Sequence, residues 1–239
     1  MEPSPSSPPP SPSLDGPPDT GAPETDGTDP GATAPGAIDP APNHHADHAG
    51  FSGVVGLLSA LTMLVGRRAD AELVVERTGV GPQDHAIDVG SGPGSTARRA
   101  ARAGATVTGV DPAPVMRRLA RRLSRRTGPG SVEYVDGTAE ALPVADGAAT
   151  VLWSVATVHH WQDVEAGVDE ASRVLAPGGR LLVAERRTKP GATGLASHGW
   201  TDAQAASFVA HLTRAGFTGV EVDRCHAGRP LLVVTATRP

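Results

Sequence analysis

The chain has 239 residues and a formal net charge of −5, a length that suits one α/β domain of ordinary size. Its one cysteine, Cys225, excludes an internal disulfide framework and fits a reducing compartment, so we expect a cytoplasmic protein. Cysteines and histidines are not grouped at the spacing of metal ligands, and we therefore expect no metal site.

The first 43 residues differ in composition from the rest of the chain. They hold 13 of the 23 prolines and seven acidic residues, with no Lys or Arg. Because they have almost no large apolar side chains, they cannot offset the entropy lost on ordering, and we predict a disordered acidic tail over residues 1–43. The predicted folded domain, residues 44–239, then has a net charge of +2. The negative charge of the whole chain comes from the tail and therefore says little about what the domain binds.

Two features follow the predicted tail. His44, His45 and His48 lie close together, and we interpret them as a solvated helix start, with metal binding as the alternative. Phe51 to Gly66 is 16 residues without a charge, short of the ~20 that a membrane span needs. Apolar residues recur in this stretch at helical spacing, which predicts an amphipathic or buried helix, with association to a membrane surface as the alternative.

An apolar strand, Ala86 to Val89, runs into three glycines at alternate positions, Gly90, Gly92 and Gly94. Glycines let the backbone turn tightly and let a ligand approach closely, because no Cβ stands in the way. A helix is predicted from about Ser95, a residue type that suits an N-cap, and its unbonded N–H groups would face the same ligand. The pattern predicts a nucleotide-type site at the carboxyl end of the first strand of an α/β sheet.

Two acids accompany this loop. Asp88 lies inside the strand, and Asp111 follows 21 residues after Gly90, at the end of a second apolar run, Ala105 to Val110. That is the position of a ribose-binding acid, because a carboxylate there can accept hydrogen bonds from both ribose hydroxyls. The glycine spacing is GxGxG rather than GxGxxG, so a dinucleotide fingerprint is only partly matched.

Four motifs follow one another along the chain: IDVGSGPG at residues 87–94, GVDP at 109–112, GTAEALP at 137–143 and LAPGGRLL at 175–182. In this order and spacing they resemble the successive motifs of class I S-adenosylmethionine-dependent methyltransferases, in particular the type 11 methyltransferase domain. The resemblance covers roughly Gly50 to the C-terminus.

The resemblance implies that the cofactor is S-adenosyl-L-methionine. The residues implied to contact it are Asp88, Gly90, Ser91, Gly92, Gly94, Asp111, Pro112, Thr138, Ala139 and Ser154. Thr138 stands where many relatives carry an Asp that accepts from the adenine amino group, so we expect the backbone around Thr138 and Ala139 to bind the ring edge instead. Glu140 is expected to anchor its loop rather than to contact adenine.

Two further residues lie where an acceptor would bind. By resemblance, His159 opens the helix after the fourth strand at the rim of the pocket, and histidine has the intrinsic pKa of a general base. A catalytic role is one interpretation of His159, and a core or capping histidine is the other. Glu185 ends the fifth strand at the carboxyl edge, where substrates gather, and is a candidate substrate contact.

Two helices are rich in arginine. The first, Ser95 to Ala103, is expected to point Arg98 outward together with its other arginines, and the second runs from Pro114 to Thr127 with six arginines. The apolar stripe of the second helix is predicted to be Val115, Leu119 and Leu123. We interpret the arginines as a solvated surface, with a patch for RNA or an anionic membrane as the alternative.

The predicted fold is α/β, a Rossmann-like sheet of seven mostly parallel strands with helices on both faces. Its last two strands, Val220 to Arg224 and Pro230 to Thr237, are joined by a short Gly-bearing link and predict a C-terminal antiparallel hairpin. A final antiparallel strand of this kind is what the methyltransferase resemblance implies.

By resemblance, the function is methyl transfer from S-adenosylmethionine, and we expect a small organic acceptor. No DNA partner is expected, and RNA and a membrane surface are the less favoured partners. Three alternatives stay open. They are a cofactor-binding regulator or inactive methyltransferase relative without transfer activity, an NAD-linked oxidoreductase and an RNA methyltransferase.

Overall fold

A computed structural model describes Met1, residues 68–126 and residues 128–239. The predicted acidic tail, the histidines that follow it and the uncharged stretch Phe51 to Gly66 lie outside the described residues. These features and the domain boundary at residue 44 therefore stay predictions. Within the described part of the chain, no helix is long and apolar enough to cross a membrane.

The described residues form one seven-stranded sheet with the order β3-β2-β1-β4-β5-β7-β6. Its strands are β1 (His85–Val89), β2 (Thr106–Val110), β3 (Ser131–Val135), β4 (Ala149–Val155), β5 (Leu175–Arg186), β6 (Thr218–His226) and β7 (Pro230–Thr237). Strands β1 to β5 pair in parallel, whereas β7 is antiparallel to both β5 and β6. The predicted sheet and its terminal hairpin are confirmed.

The described helices connect these strands. They are α1 (Arg68–Thr78), α2 (Ser95–Arg102), α3 (Pro114–Leu123), α4 (Val164–Val174) and α5 (Asp202–Arg214), with short 3₁₀ turns at Val158–His160 and Gly194–Ser197. Helix α5 begins with a capping box, in which Thr201 and Gln204 each accept a hydrogen bond from the other's backbone N–H. The capping box therefore fixes the residue at which α5 begins.

Hydrophobic layers cover both faces of the sheet. Ala86 and Ile87 are neighbours on β1, and because strand side chains alternate, they enter opposite layers. Ile87 belongs to the layer that includes Val168 of α4 and Phe208 of α5, and Ala86 belongs to the layer that includes Ala100 of α2. The predicted helices on both faces are thus confirmed.

The predicted apolar stripe of α3 is wrong. Met116 and Ala120 are buried, at 2% and 0% exposed, while Leu123 is 41% exposed. Arg117, next to Met116, pairs with Asp136 at 2.7 Å, and its side chain is only 11% exposed. The helix thus buries Met116 and Ala120 in place of the predicted stripe. Helix α3 also ends at Leu123, earlier than predicted.

Arg98 also departs from the prediction, because its guanidinium is partly buried instead of pointing outward. It donates to the carbonyl oxygen of Pro93 in the loop before α2. Burial lowers the pKa of Arg98, and the nearby Tyr134 hydroxyl and Asp88 carboxylate oppose that shift. Arg98 thus holds the loop to the helix rather than contributing to a solvated arginine surface.

Candidate functional site

The loop of residues 90–94, called the glycine loop below, follows β1 at the carboxyl edge of the sheet. Its three glycines have positive φ angles: 68° at Gly90, 53° at Gly92 and 76° at Gly94. A Cβ at Gly90 would come within 2.5 Å of the Thr157 side chain, and one at Gly94 within 2.0 Å of the Tyr134 hydroxyl. Both the backbone conformation and the close packing therefore require glycine at these positions.

Asp88 caps helix α2 from within β1. Gly94 occupies the N-cap position without a side-chain hydrogen bond, so the expectation that Ser95 caps the helix is wrong, and Ser95 is the first helical residue. The N–H of Ala97 donates instead to Asp88 Oδ2 at 3.1 Å, and the Asp88 side chain is only 3% exposed. A carboxylate at this helix end is also favoured by the helix dipole. Asp88 thus joins strand to helix beneath the glycine loop.

Asp111 links the end of β2 to the glycine loop. The N–H of Gly92 donates to Asp111 Oδ2 at 2.8 Å, and that of Ala113 donates to Oδ1 at 2.8 Å. Burial raises the pKa of Asp111, and the two backbone donors oppose the shift. Each carboxylate oxygen has two acceptor sites, so Asp111 can hold the loop and still accept hydrogen bonds from a ligand.

Ser91 has a buried hydroxyl in a cleft beside the glycine loop. The cleft is also lined by Asp88, Gly90, Thr96 and Val155. Within the described residues, Ser91 Oγ has no hydrogen-bond partner. Because buried hydroxyls are normally paired and an unpaired one costs free energy, this atom marks a position where a bound ligand would supply the partner.

The segment after β3 lies at the same edge of the sheet. Thr138 is exposed and forms an isolated antiparallel bridge with Ala141, while Ala139 is 5% exposed. Glu140 Oε1 accepts from the N–H of Gln162 at 2.8 Å, which confirms its predicted role as a loop anchor. Pro112, beyond β2, is exposed near the same edge. Contact of these residues with a cofactor stays a prediction.

Ser154 contacts a residue, Thr157, that the sequence analysis did not single out. Ser154 is fully buried, and its hydroxyl lies 2.5 Å from Thr157 Oγ1. Thr157 Oγ1 also donates to the carbonyl oxygen of Val89 at 3.2 Å, tying the ends of β1 and β4 together. Val155 is the residue of β4 that lines the cleft, and contact of Ser154 with a cofactor stays a prediction.

Ala156, which directly precedes Thr157, is held in an unusual conformation. Ala156 has a φ of 53° and donates its N–H to the carbonyl oxygen of Ala184 at 2.7 Å. Left-handed backbone at a residue other than glycine costs free energy and is concentrated at functional sites. This conformation turns the chain from β4 into the 3₁₀ turn that contains His159.

His159 and Glu185 form a buried pair. His159 Nδ1 lies 2.9 Å from Glu185 Oε2, and the N–H of Val158 donates to Glu185 Oε1 at 2.8 Å. His159 is 5% exposed and Glu185 is fully buried. Glu185 therefore pairs with His159 and Val158, and its candidate role as a substrate contact stays a prediction. Since an ionised carboxylate can only accept, this contact favours the tautomer that carries its hydrogen on Nδ1 and leaves Nε2 as an acceptor.

Two more histidines lie beside this pair. His159, His160 and His198, called the histidine cluster below, each have one ring nitrogen within 4.8 Å of the others. His198 follows the 3₁₀ turn after β5, and His160 ends the 3₁₀ turn after β4. The sequence analysis found no such grouping, because the loop that brings His198 to His159 has no pattern that predicts its path.

Residues 87–183 match the family model described as "Methyltransferase domain". The matched range contains the glycine loop, Asp111 and the His159 turn. Residues 87–183 are a class I S-adenosylmethionine-dependent methyltransferase domain. The family expected from the four motifs is confirmed.

Curated relatives match the methyltransferase domain over part of their length. A demethylmenaquinone methyltransferase of Tropheryma whipplei is 34% identical over 119 residues, which are 50% of this chain and 47% of the relative. One of Thermus thermophilus is 36% identical over 142 residues, 58% of this chain and 62% of the relative. The chain thus spans about half the length of the curated relatives it matches.

Solved structures share the fold of the methyltransferase domain. An S-adenosylmethionine-dependent methyltransferase from Aquifex aeolicus has a TM-score of 0.60 at 19% identity, covering 73% of this chain and 93% of that one. The [4+2]-cyclase SpnF has a TM-score of 0.64 at 20% identity, covering 77% of this chain and 93% of that one. At these identities the likeness shows the fold alone.

Proposed function

We propose that the chain transfers a methyl group from S-adenosyl-L-methionine to a small organic acceptor. The observation that carries the proposal is the 2.8 Å hydrogen bond by which Asp111, at the end of β2, holds the glycine loop at Gly92. This pairing lies at the carboxyl edge of the sheet, where α/β folds of this type bind nucleosides. The orphaned Ser91 hydroxyl in the adjoining cleft supports the same location.

The chain's own residues fit an adenosine with an amino-acid tail. Asp111 would accept hydrogen bonds from the ribose hydroxyls, and Ser91 would gain the partner it lacks among the described residues. Gly90 lets the loop backbone pack against Thr157, because a Cβ there would come within 2.5 Å of that side chain. Asp88 holds the start of α2 in place beneath the loop.

The remaining predicted cofactor residues have lesser roles in this proposal. Pro112, Thr138 and Ala139 would border the adenine from the ends of β2 and β3. Gly94 lets the loop enter α2 through left-handed backbone. Ser154 would act on the site through Thr157, to which its hydroxyl is bonded.

When bound, S-adenosylmethionine supplies a methyl group that its positively charged sulfur already activates. The protein then mainly has to align the acceptor in line with that group and exclude water, which can account for several kcal/mol of the barrier. Methylation of a hydroxyl releases a proton. His159 is our candidate for its receiver, because Glu185 orients the ring and would stabilise the imidazolium formed when Nε2 takes the proton.

A small aromatic or lipid-like acceptor fits the relatives best. Two of them are named as demethylmenaquinone methyltransferases, so their acceptors are of this kind. Nucleic acid is not favoured, since the sequence contains no Asn/Asp-Pro-Pro-Tyr segment of the type used to methylate nucleic-acid amino groups. The acceptor of this chain is therefore sought among small molecules.

Cofactor binding without methyl transfer is the second candidate. It is favoured by one observation, that the [4+2]-cyclase SpnF shares this fold at a TM-score of 0.64. The fold alone therefore does not decide between a methyltransferase and a protein that uses the same site differently. Thr138, in place of the adenine-binding Asp of many relatives, gives this candidate some further support.

One assay separates the two candidates. The full chain is incubated with S-adenosylmethionine labelled in the methyl group, together with a cell extract or a set of demethylated quinols and phenols. We expect a labelled organic product that disappears with Asp111→Ala and persists with Asp136→Ala. Binding of S-adenosylhomocysteine without any labelled product would favour the second candidate, and absence of binding would contradict both.

A further inference from the structure

The histidine cluster gathers three imidazoles at the carboxyl edge of the sheet. The ring centroids of His159 and His160 are 4.1 Å apart, and His198 lies 5.6 Å from His159 and 5.7 Å from His160. The three side chains come from two separate turns, one after β4 and one after β5. His159 is buried, and the other two are half-buried, so the cluster is reachable from solvent on one side.

We propose that His159, His160 and His198 bind a divalent transition-metal ion, with Zn²⁺ as the representative ion. Three neutral imidazoles with one position left for water or substrate are a known donor set of catalytic zinc sites. Imidazole donors favour zinc, copper, nickel and iron over Mg²⁺ and Ca²⁺, which prefer oxygen ligands. The site would thus select transition-metal ions over Mg²⁺ and Ca²⁺, because its donors are imidazole nitrogens rather than oxygens.

Glu185 supports this assignment from behind His159. A histidine that ligates a metal usually donates its other ring N–H to a carboxylate, which fixes the ring and raises its basicity. Glu185 Oε2 takes that position, 2.9 Å from His159 Nδ1, so Nε2 becomes the ligand atom. Glu185 itself is fully buried, and a buried carboxylate is stabilised by nearby positive charge, which the ion would add.

The cluster needs only a small adjustment to close around an ion. Zinc binds histidine nitrogens at about 2.0–2.1 Å, so ligands in a tetrahedral site lie about 3.3 Å apart. In the histidine cluster, one ring nitrogen of each residue lies within 4.8 Å of those of the other two. Side-chain rotations at the half-buried His160 and His198 would supply the remaining shift, while Glu185 keeps His159 in place.

If the proposed methyl transfer is correct, the metal ion would also restrict which acceptors can be methylated. This step rests on the proposed function. A hydroxyl of the acceptor bound at the open position would lose its proton more readily, because the ion stabilises the oxygen anion. His159 would then act as a ligand, and the proton would go to solvent instead of to Nε2. An acceptor with a second oxygen beside the methylated hydroxyl would suit such a site.

The test uses the full chain, purified without a histidine tag and stripped with a chelator. Titration with Zn²⁺ by calorimetry, without cofactor or acceptor, should show one tight equivalent, and Mg²⁺ should not compete. His198→Ala and His160→Ala should each weaken Zn²⁺ binding at least about tenfold. A variant with His44, His45 and His48 all changed to Ala is the matched control and should bind as the native chain does.

Two further variants separate coordination from a folding effect. His198→Cys keeps a metal ligand, so Co²⁺ should still bind and should gain a near-ultraviolet sulfur-to-cobalt band. Glu185→Gln would accept from Val158 and donate to His159 Nδ1, which places the hydrogen on Nε2 and blocks coordination. We expect it to lower Zn²⁺ affinity about 10–100-fold while the circular dichroism spectrum is retained.

Absence of tight Zn²⁺ binding would overturn the proposal, as would binding that is lost when His44, His45 and His48 are changed to Ala but kept in His198→Ala. Equal affinity in Glu185→Gln and the native chain would also contradict it. Binding of S-adenosylhomocysteine is measured separately on the same stripped protein. Loss of the metal proposal would therefore leave the methyltransferase proposal standing, and the reverse also holds.

Discussion

The carboxylate of Asp111 accepts a 2.8 Å hydrogen bond from the N–H of Gly92, joining the end of β2 to the glycine loop after β1. The acid expected to bind ribose thus also fixes the loop expected to lie against the rest of the cofactor. A ligand that engages Asp111 meets a loop that is already in place, so less ordering is needed on binding. This relationship makes the site testable by single substitutions.

Replacing Asp111 with Ala should weaken binding of S-adenosylhomocysteine by roughly 1–3 kcal/mol, because hydrogen bonds to a charged group are lost. Calorimetry at fixed pH and salt measures the change. Asp136→Ala is the matched control, since Asp136 is an exposed acid at the end of β3 that pairs with Arg117. Unchanged affinity in Asp111→Ala would remove the ribose assignment.

The Ser91→Ala substitution should weaken binding of S-adenosylhomocysteine without lowering the free energy of unfolding. Its buried hydroxyl has no partner among the described residues, so its removal should leave the free energy of unfolding of the cofactor-free protein unchanged or slightly raised. Affinity for S-adenosylhomocysteine should fall by about 0.5–1.5 kcal/mol, the typical net value of one hydrogen bond. Ser131→Ala, at an exposed position of β3, is the control. A large loss of stability in Ser91→Ala would mean that the hydroxyl is satisfied by the protein itself.

Gly90→Ala should lower the free energy of unfolding more than Gly228→Ala. Both glycines have positive φ, 68° and 74°, so each substitution introduces a similar backbone strain of roughly 1–2 kcal/mol. Only at Gly90 would the new Cβ meet a neighbour closely, the Thr157 side chain at 2.5 Å. Crowding of this kind adds about 1–3 kcal/mol. Denaturant unfolding of the two variants measures the difference, and equal losses would show that packing at Gly90 is not tight.

Glu170 should contribute stability that disappears in acid. The hydrogen bond from Arg173 lowers the pKa of Glu170 below its ordinary value of 4.5, and the N–H of Leu142 adds to this while burial opposes it. A carboxyl group with a lowered folded-state pKa stabilises the fold above its unfolded pKa and loses that contribution as the pH falls through the folded value. The stability advantage of the native chain over Glu170→Gln should therefore be full near neutral pH and shrink below 4.5.

Urea unfolding at a series of pH values checks this behaviour. Glu221→Gln, at an exposed position of β6, serves as the control and should show a small difference at every pH. A difference between Glu170→Gln and the native chain that does not depend on pH would contradict the assignment.

The mostly parallel sheet and its C-terminal hairpin could be predicted from the sequence. Apolar runs ending in Gly90 and Asp111 mark two carboxyl ends of a parallel sheet, because those residue types at that spacing suit a nucleoside site. The glycine-linked runs at the C-terminus predict the hairpin of β6 and β7. These features depend on local pattern, which the sequence records directly.

Side-chain direction was less predictable. Ala120 rather than Leu119 lies in the core layer against α3, and the partly buried Arg98 bonds to the loop carbonyl of Pro93. The hydrophobic pattern of a helix does not record such polar contacts, of which the pairing of Arg117 with Asp136 is another. The approach of His198 to His159 likewise depends on the path of a loop without periodicity.

Binding of S-adenosylhomocysteine to the full chain tests the central claim most directly. Calorimetry with this molecule, and with NADH as the comparison, is run on the native chain and on Asp111→Ala. The account predicts one saturable site for S-adenosylhomocysteine in the native chain, weaker binding in the variant and none for NADH. No uptake of S-adenosylhomocysteine or S-adenosylmethionine at millimolar concentrations, or binding of NADH in their place, would contradict it.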